Sequence, residues 1–226
     1  MNNTIGIYEE RKKEIEFYFR IMEGIDRGED IITTSDNSHF FKIMKSNLLL
    51  MLYNIVEACI VSGMEEIYSG LKDESCKYGE LITEIQVVWS KYKINQIYGA
   101  TTDRKTYENR VQDIIQNITT SSPIILTKDA LGISGNLNAK KIKEICDSHK
   151  IRYRLETRGE SLERVKRLRN GLAHGDMSFS ECARDLTIAD LNDIKIEVLT
   201  FLDGILKGMK DYYDNKKYKK NEEGSS

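Results

Sequence analysis

Arginine, asparagine and histidine fall close together in the string Arg169-Asn170-Gly171-Leu172-Ala173-His174-Gly175, the one place in the chain that joins a titratable base and a permanent cation at a helix end. His174 can exchange a proton near neutral pH. Arg169 keeps its charge and presents a planar fork that suits phosphate oxygens, so the two together suit phosphodiester chemistry. Asn170 and His174 are four residues apart and share a helix face, where the amide can orient the imidazole or hold a phosphate oxygen. Small residues at 171, 173 and 175 leave room for a substrate backbone or a second copy of the helix. Arg167 meets the looser arginine-to-histidine spacing and is a supporting candidate. His39 and His149 have no Arg-Asn pair upstream and read as structural.

The helix carrying this string starts at Ser161, a possible cap, and turns Leu162, Val165, Leu168 and Leu172 inward while Glu163, Arg164, Lys166 and Arg167 face water. Gly175 ends it. A long helix from about Phe40 to Leu71 is apolar nearly all round, which places it at the centre of the fold, with N-caps available in Thr33 to Ser38. Glu57, a carboxylate in an otherwise apolar stretch of this helix, calls for a cationic partner, and Arg169 is the partner of choice. An amphipathic helix at Ile7 to Ile25 precedes it. Further helices are expected at Glu80 to Gln96, Tyr107 to Ile118 and Ala139 to His149. The last begins at Thr187, with Asp190 completing a capping box, and runs through Leu191, Ile194, Val198, Leu202, Ile205 and Met209.

The expected fold class is all-α, since a single proline in 226 residues and the lack of sustained alternation favour helices. One domain should span 1–213, with 99–150 as an irregular insertion lobe between the central and motif helices. A polar tail, 214–226, should fray, its Lys216 to Lys220 run solvated. With 40% hydrophobic and 31% charged residues, disorder and fibrous repeats are excluded. The formal net charge of -2 supplies no global field for nucleic acid, so any such site must be local. Cys59, Cys76, Cys146 and Cys182 are scattered, without the paired spacing of a zinc site, and no metal or other cofactor is expected. Charges at Glu9 to Glu16 rule out a signal peptide. The apolar run Leu48 to Val61 is broken by Asn54 and Glu57 and is shorter than the ~20 residues of a membrane span. A cytoplasmic, membrane-free protein is the expectation.

The Arg169-Asn170-x-x-x-His174 string resembles the signature of the HEPN superfamily, helical domains of prokaryotic toxins, defence systems and CRISPR effectors. Ser134-Gly135-Asn136-Leu137-Asn138, followed by a short basic helix and then the motif helix, resembles one branch of HEPN-like nucleases from bacterial defence loci. The likeness extends from the first helix to about Tyr213. It implies a HEPN-type helical bundle that dimerises, so that two motifs face each other in one composite, metal-independent endoribonuclease site. RNA would be the substrate and a 2′,3′-cyclic phosphate the product. His174 would then be the proton-transfer group, Arg169 the phosphate clamp and Asn170 the positioning residue, with Glu57 and Arg167 in support. An antitoxin or defence-system partner protein is implied as well. Two alternatives stay open: a catalytically inactive dimeric module that acts with a partner protein, and a domain that binds a nucleotide.

Overall fold

The computed structural model describes residues 1–29, 37–98, 104–133 and 135–220. Helices α1 (Asn2–Asp26), α2 (Asn37–Asp73), α3 (Thr83–Tyr98), α4 (Arg104–Thr119), α5 (Ala139–Ser148), α6 (Ser161–His174), α7 (Phe179–Cys182) and α8 (Ile188–Asp214) follow in order. Among the described residues no strand forms, and two isolated bridges join Lys77 to Pro123 and Leu81 to Lys219. The fold is therefore all-α. Of the caps foreseen for α2, Thr33 to Asp36 lie outside the described residues.

Helix α2 is the axis of the bundle. Its residues Leu48, Leu49, Leu52, Ile55, Val56, Ile60, Met64 and Ile67 have no exposed surface. Each such side chain contributes ~1.5–3 kcal/mol on burial. By length and composition α2 would suffice to cross a bilayer, which the shorter run Leu48 to Val61 did not suggest. Its apolar surface is instead covered by α1, α6, α7 and α8. Helix α1 contributes Tyr8, Ile15, Phe19 and Met22, and α8 contributes Leu191, Val198, Phe201 and Leu202. A polar clamp crosses this core: the Lys195 ammonium, almost fully buried, lies 2.7 Å from Glu16 and 4.1 Å from the centre of the Phe19 ring.

Several expectations change in the folded chain. Within the stretch expected as an insertion lobe, Ile124, Leu126, Leu131, Leu137, Ile142 and Ile145 enter the same hydrophobic cluster as α2 and α8. Only α4 in that stretch has no buried residue among those described. The chain past Tyr213 does not fray at 214. It docks through Lys220: Tyr218 is buried edge-on against Tyr212, the Ile82 amide donates to the Tyr218 carbonyl at 3.0 Å, and the Lys220 amide donates to Glu80 at 2.9 Å. Sequence composition hid this because one aromatic anchor among lysines carries all the apolar area. Ser161 does not cap α6 either. Its amide and hydroxyl, with the Glu160 amide, donate to the carboxylate of Glu197 on α8, so a neighbouring helix neutralises the positive end of α6. Thr187 caps α8 as its spacing with Asp190 requires.

His149 is structural, as its isolation in sequence implied. The Ile145 carbonyl can only accept, so Nδ1–H donates to it at 2.7 Å, leaving Nε2 to accept from the Tyr68 hydroxyl at 2.7 Å. Burial pushes the imidazole down to about 4, against the opposing bond to Ile145. The neutral form is thus common to folded and unfolded chains above pH ~6.5, and below it only the unfolded chain takes up the proton. Stability should fall from pH ~6.5 toward 4, by about 2 kcal/mol at pH ~5 from this group. Urea unfolding at both ends of that window, with His149→Gln flattening the slope, checks it.

Candidate functional site

Helix α6 delivers the motif against the middle of α2. Leu162 and Val165 are buried and Leu168 and Leu172 are partly buried against the core, which fixes the roll of the helix. That roll turns Arg169 toward α2, and only a quarter of its side chain remains exposed. The guanidinium lies over the Tyr53 ring at 4.3 Å from its centre. Nη1 donates to the Gly135 carbonyl at 3.0 Å and to Asn170 Oδ1 at 2.9 Å, and Nη2 lies 3.5 Å from Glu57 Oε2. Glu57 and Arg169 are therefore partners, as a carboxylate in the apolar middle of α2 demanded.

The loop before α5 closes around this cation. Tyr53 donates its hydroxyl proton to the Gly135 carbonyl at 2.6 Å and accepts from the Leu137 amide at 3.1 Å. Burial raises the Tyr53 phenol above its usual range, so it stays a neutral donor. Gly135 has a φ of +70°, and a β-carbon there would sit 3.4 Å from Arg169 Nη2. Asn170 Nδ2 donates to Asn136 Oδ1 at 2.7 Å, and Asn138 caps α5 through the Lys141 amide while its Nδ2 donates to Glu163. Three segments thus meet on one guanidinium.

Asn170 does not orient His174; its amide is spent on Arg169 and Asn136. His174 stands exposed in the last turn, before Gly175 with a φ of +76°. Five residues of α-helix separate Arg169 from His174, ~140° around the axis and ~7.5 Å along it, so the two side chains of one copy leave the helix in different directions. Arg167, Asn170 and His174 fall within ~60° of one another, and Arg167 is exposed. Gly171 offers no space to a substrate: a β-carbon there would meet Met177 Cε at 2.6 Å. Gly175, by contrast, has nothing near its missing β-carbon.

The turn beyond α6 is tied back to α2, with the Ser46 hydroxyl donating to Phe179 and the Lys45 ammonium to Leu186, each at 2.5 Å. Tyr53 escaped sequence reasoning. The signal was there, since it precedes Glu57 by four residues and shares its helix face. A cavity of about 300 Å³ opens on the far side of the loop, lined by Ile133, Asn136, Asn138 and Lys141.

Tyr53→Phe keeps the ring under Arg169 but leaves the buried Leu137 amide without an acceptor. A loss of ~1–3 kcal/mol is expected in urea unfolding, with faster hydrogen exchange at Leu137. An unchanged stability together with unchanged exchange would show that the phenol does not hold the loop.

The sequence matches the HEPN_MAE_28990-like HEPN family model over residues 8–218. No curated protein and no solved structure matches it.

Proposed function

The chain belongs to the HEPN_MAE_28990-like HEPN family, and from that premise we propose that it is a metal-independent endoribonuclease acting as a homodimer. The observation that carries this reading is the divergence of an exposed His174 from an anchored Arg169 on one helix. One copy does not aim both groups at a single phosphate, whereas two copies related by a two-fold axis bring the imidazole of one toward the guanidinium of the other. Arg169 has five N–H donors, three of them directed at Gly135, Asn170 and Glu57. Nε–H and one proton of Nη2 remain for phosphate oxygens. The anchoring fixes the fork before substrate arrives, so little ordering is left for the moment of reaction.

In the reaction, one imidazole takes the proton of an RNA 2′-hydroxyl while its oxygen attacks the adjacent phosphorus. The bond from phosphorus to O5′ breaks, and the leaving oxygen takes a proton from a water molecule, whose hydroxide the newly formed imidazolium then neutralises. A 2′,3′-cyclic phosphate and a 5′-hydroxyl result. Arg169 offsets charge on the phosphorane, and Asn170 and Glu57 act through it as positioning residues. A toxin or antiphage role, with an antitoxin or defence partner and a cytoplasmic site of action, fits this chemistry. The second reading, an inactive dimeric module, draws support from Glu57 already occupying Arg169.

Purified protein should cut single-stranded RNA in EDTA and leave cyclic phosphate ends. His174→Ala should lower the rate at least ~100-fold without loss of folding. Retained cleavage would remove the imidazole from the mechanism. Mixing His174→Ala with Arg169→Ala chains tests the pairing: a site shared between copies regains one working combination in the mixed dimer, and a site within one copy regains none.

A further inference from the structure

Among the described residues, a concentration of positive charge lies away from Arg169. Residues 150–156 cross α8 without helical structure, and their burial alternates: Ile151 is buried, Tyr153 and Leu155 are partly buried, and Arg152, Arg154 and Glu156 are exposed. Two glycines of α8 allow the close approach. A β-carbon at Gly204 would lie 2.5 Å from the Arg154 carbonyl, and one at Gly208 would collide with the Arg152 carbonyl. With their backbones seated this way, the two arginines point outward ~6.6 Å apart, the two-residue repeat of an extended chain.

The docked C-terminal segment lies alongside. Lys217, Lys219 and Lys220 join Lys150, Arg152 and Ile82 around a cavity of about 410 Å³. Lys150 pairs with Glu84 at 3.0 Å, Lys217 with Asp211 at 2.5 Å, and Lys219 shares Glu74 with Lys216. The Lys220 ammonium rests on the neutral Gly79 carbonyl, and among the described residues neither Arg152 nor Arg154 makes an ion pair. Positive charge therefore exceeds what these carboxylates offset, in a chain whose net charge is -2. Two of the turns that set the strip hold lysine in the left-handed region, Lys150 at φ 60° and Lys216 at φ 49°, where glycine or asparagine would rest without strain.

We infer that this strip, Lys150, Arg152 and Arg154 with Lys217, Lys219 and Lys220, binds the phosphodiester backbone of single-stranded RNA. Ile82 is the one apolar group lining the cavity, so the strip has no platform for stacking bases and reads phosphates instead. Its distance from the motif follows from α2: Glu57 touches Arg169, and Glu74, just past the end of the helix, holds Lys219, seventeen residues on and ~25 Å away. A strand cut beside the middle of α2 is gripped at its C-terminal end. Naming RNA as the polyanion rests on the function proposed above, whereas the anion strip itself does not.

The test uses the full chain carrying His174→Ala, so that a fluorescent oligouridylate stays intact, with and without R152Q/R154Q. Both arginines are exposed and neither makes an ion pair among the described residues, so folding should be unchanged by circular dichroism. The double variant should weaken binding about tenfold at low salt and reduce the slope of log affinity against log salt by about 1.4, at ~0.7 per lost phosphate contact. Equal affinity and slope in the two proteins would overturn the strip, as would binding abolished by Arg169→Ala and indifferent to R152Q/R154Q. ATP is the second probe. A thermal shift with ATP that R152Q/R154Q removes, in a protein that ignores the oligonucleotide, would show a small polyphosphate site and overturn the assignment to RNA. A chain that never cleaves yet holds the oligonucleotide through these arginines would refute the ribonuclease reading and uphold the strip.

Discussion

A guanidinium with most of its surface withdrawn from water has to find partners for its charge, and Arg169 finds them on three separate stretches of chain. The aromatic face of Tyr53 and the carboxylate of Glu57 come from α2, the Gly135 carbonyl from the loop before α5, and the Asn170 amide from α6 itself. Taking away one partner strands a partly desolvated cation, which costs more than the contact is worth when present. The roll of α6, the course of the loop and the choice of Glu57 as the carboxylate in α2 are therefore one linked solution. Asn136 joins it through Asn170, and Asn138 extends it to the start of α5.

Helix α2 makes that solution possible because its middle is enclosed by the bundle. At one end it holds the connection after α6 through Ser46 and Lys45, and in the middle it holds the motif. At its far end Glu74 gathers Lys216 and Lys219. The molecule thus separates its cations by how they are anchored. Arg169 is rigid and half-satisfied at the centre, whereas Arg152 and Arg154 stand in water on a segment whose backbone, not side chains, is clamped. A fixed fork suits stabilisation of a developing charge, and solvated cations suit loose retention of a polyanion.

The helices were readable from sequence where apolar residues recur at three and four, as in α8 with its Thr187–Asp190 box, and in α1 and α2. The partnership of Glu57 with Arg169 was readable too, because a carboxylate in the apolar middle of a helix calls for a cation. What failed shares a cause. Composition treats each segment alone, so a single buried Tyr218 could not outweigh its lysines, and Ile124 to Ile145 gave no sign that they enter the main core. Ser161 looked like a cap because no sequence rule announces a carboxylate arriving from Glu197.

By itself, the sequence determined the all-α class, the membership of a family recognised by the order of Arg169, Asn170 and His174, and the charge that Glu57 must answer. These depend on periodicity and on residue type, which are local. The tertiary structure alone decided that Tyr53 and Gly135 hold the arginine, that Met177 fills the gap beside Gly171, and that Arg169 faces α2 while His174 faces solvent. Each of these depends on how α6 is rolled against α2, and that angle is set by the packing of the whole core rather than by any residue near the motif.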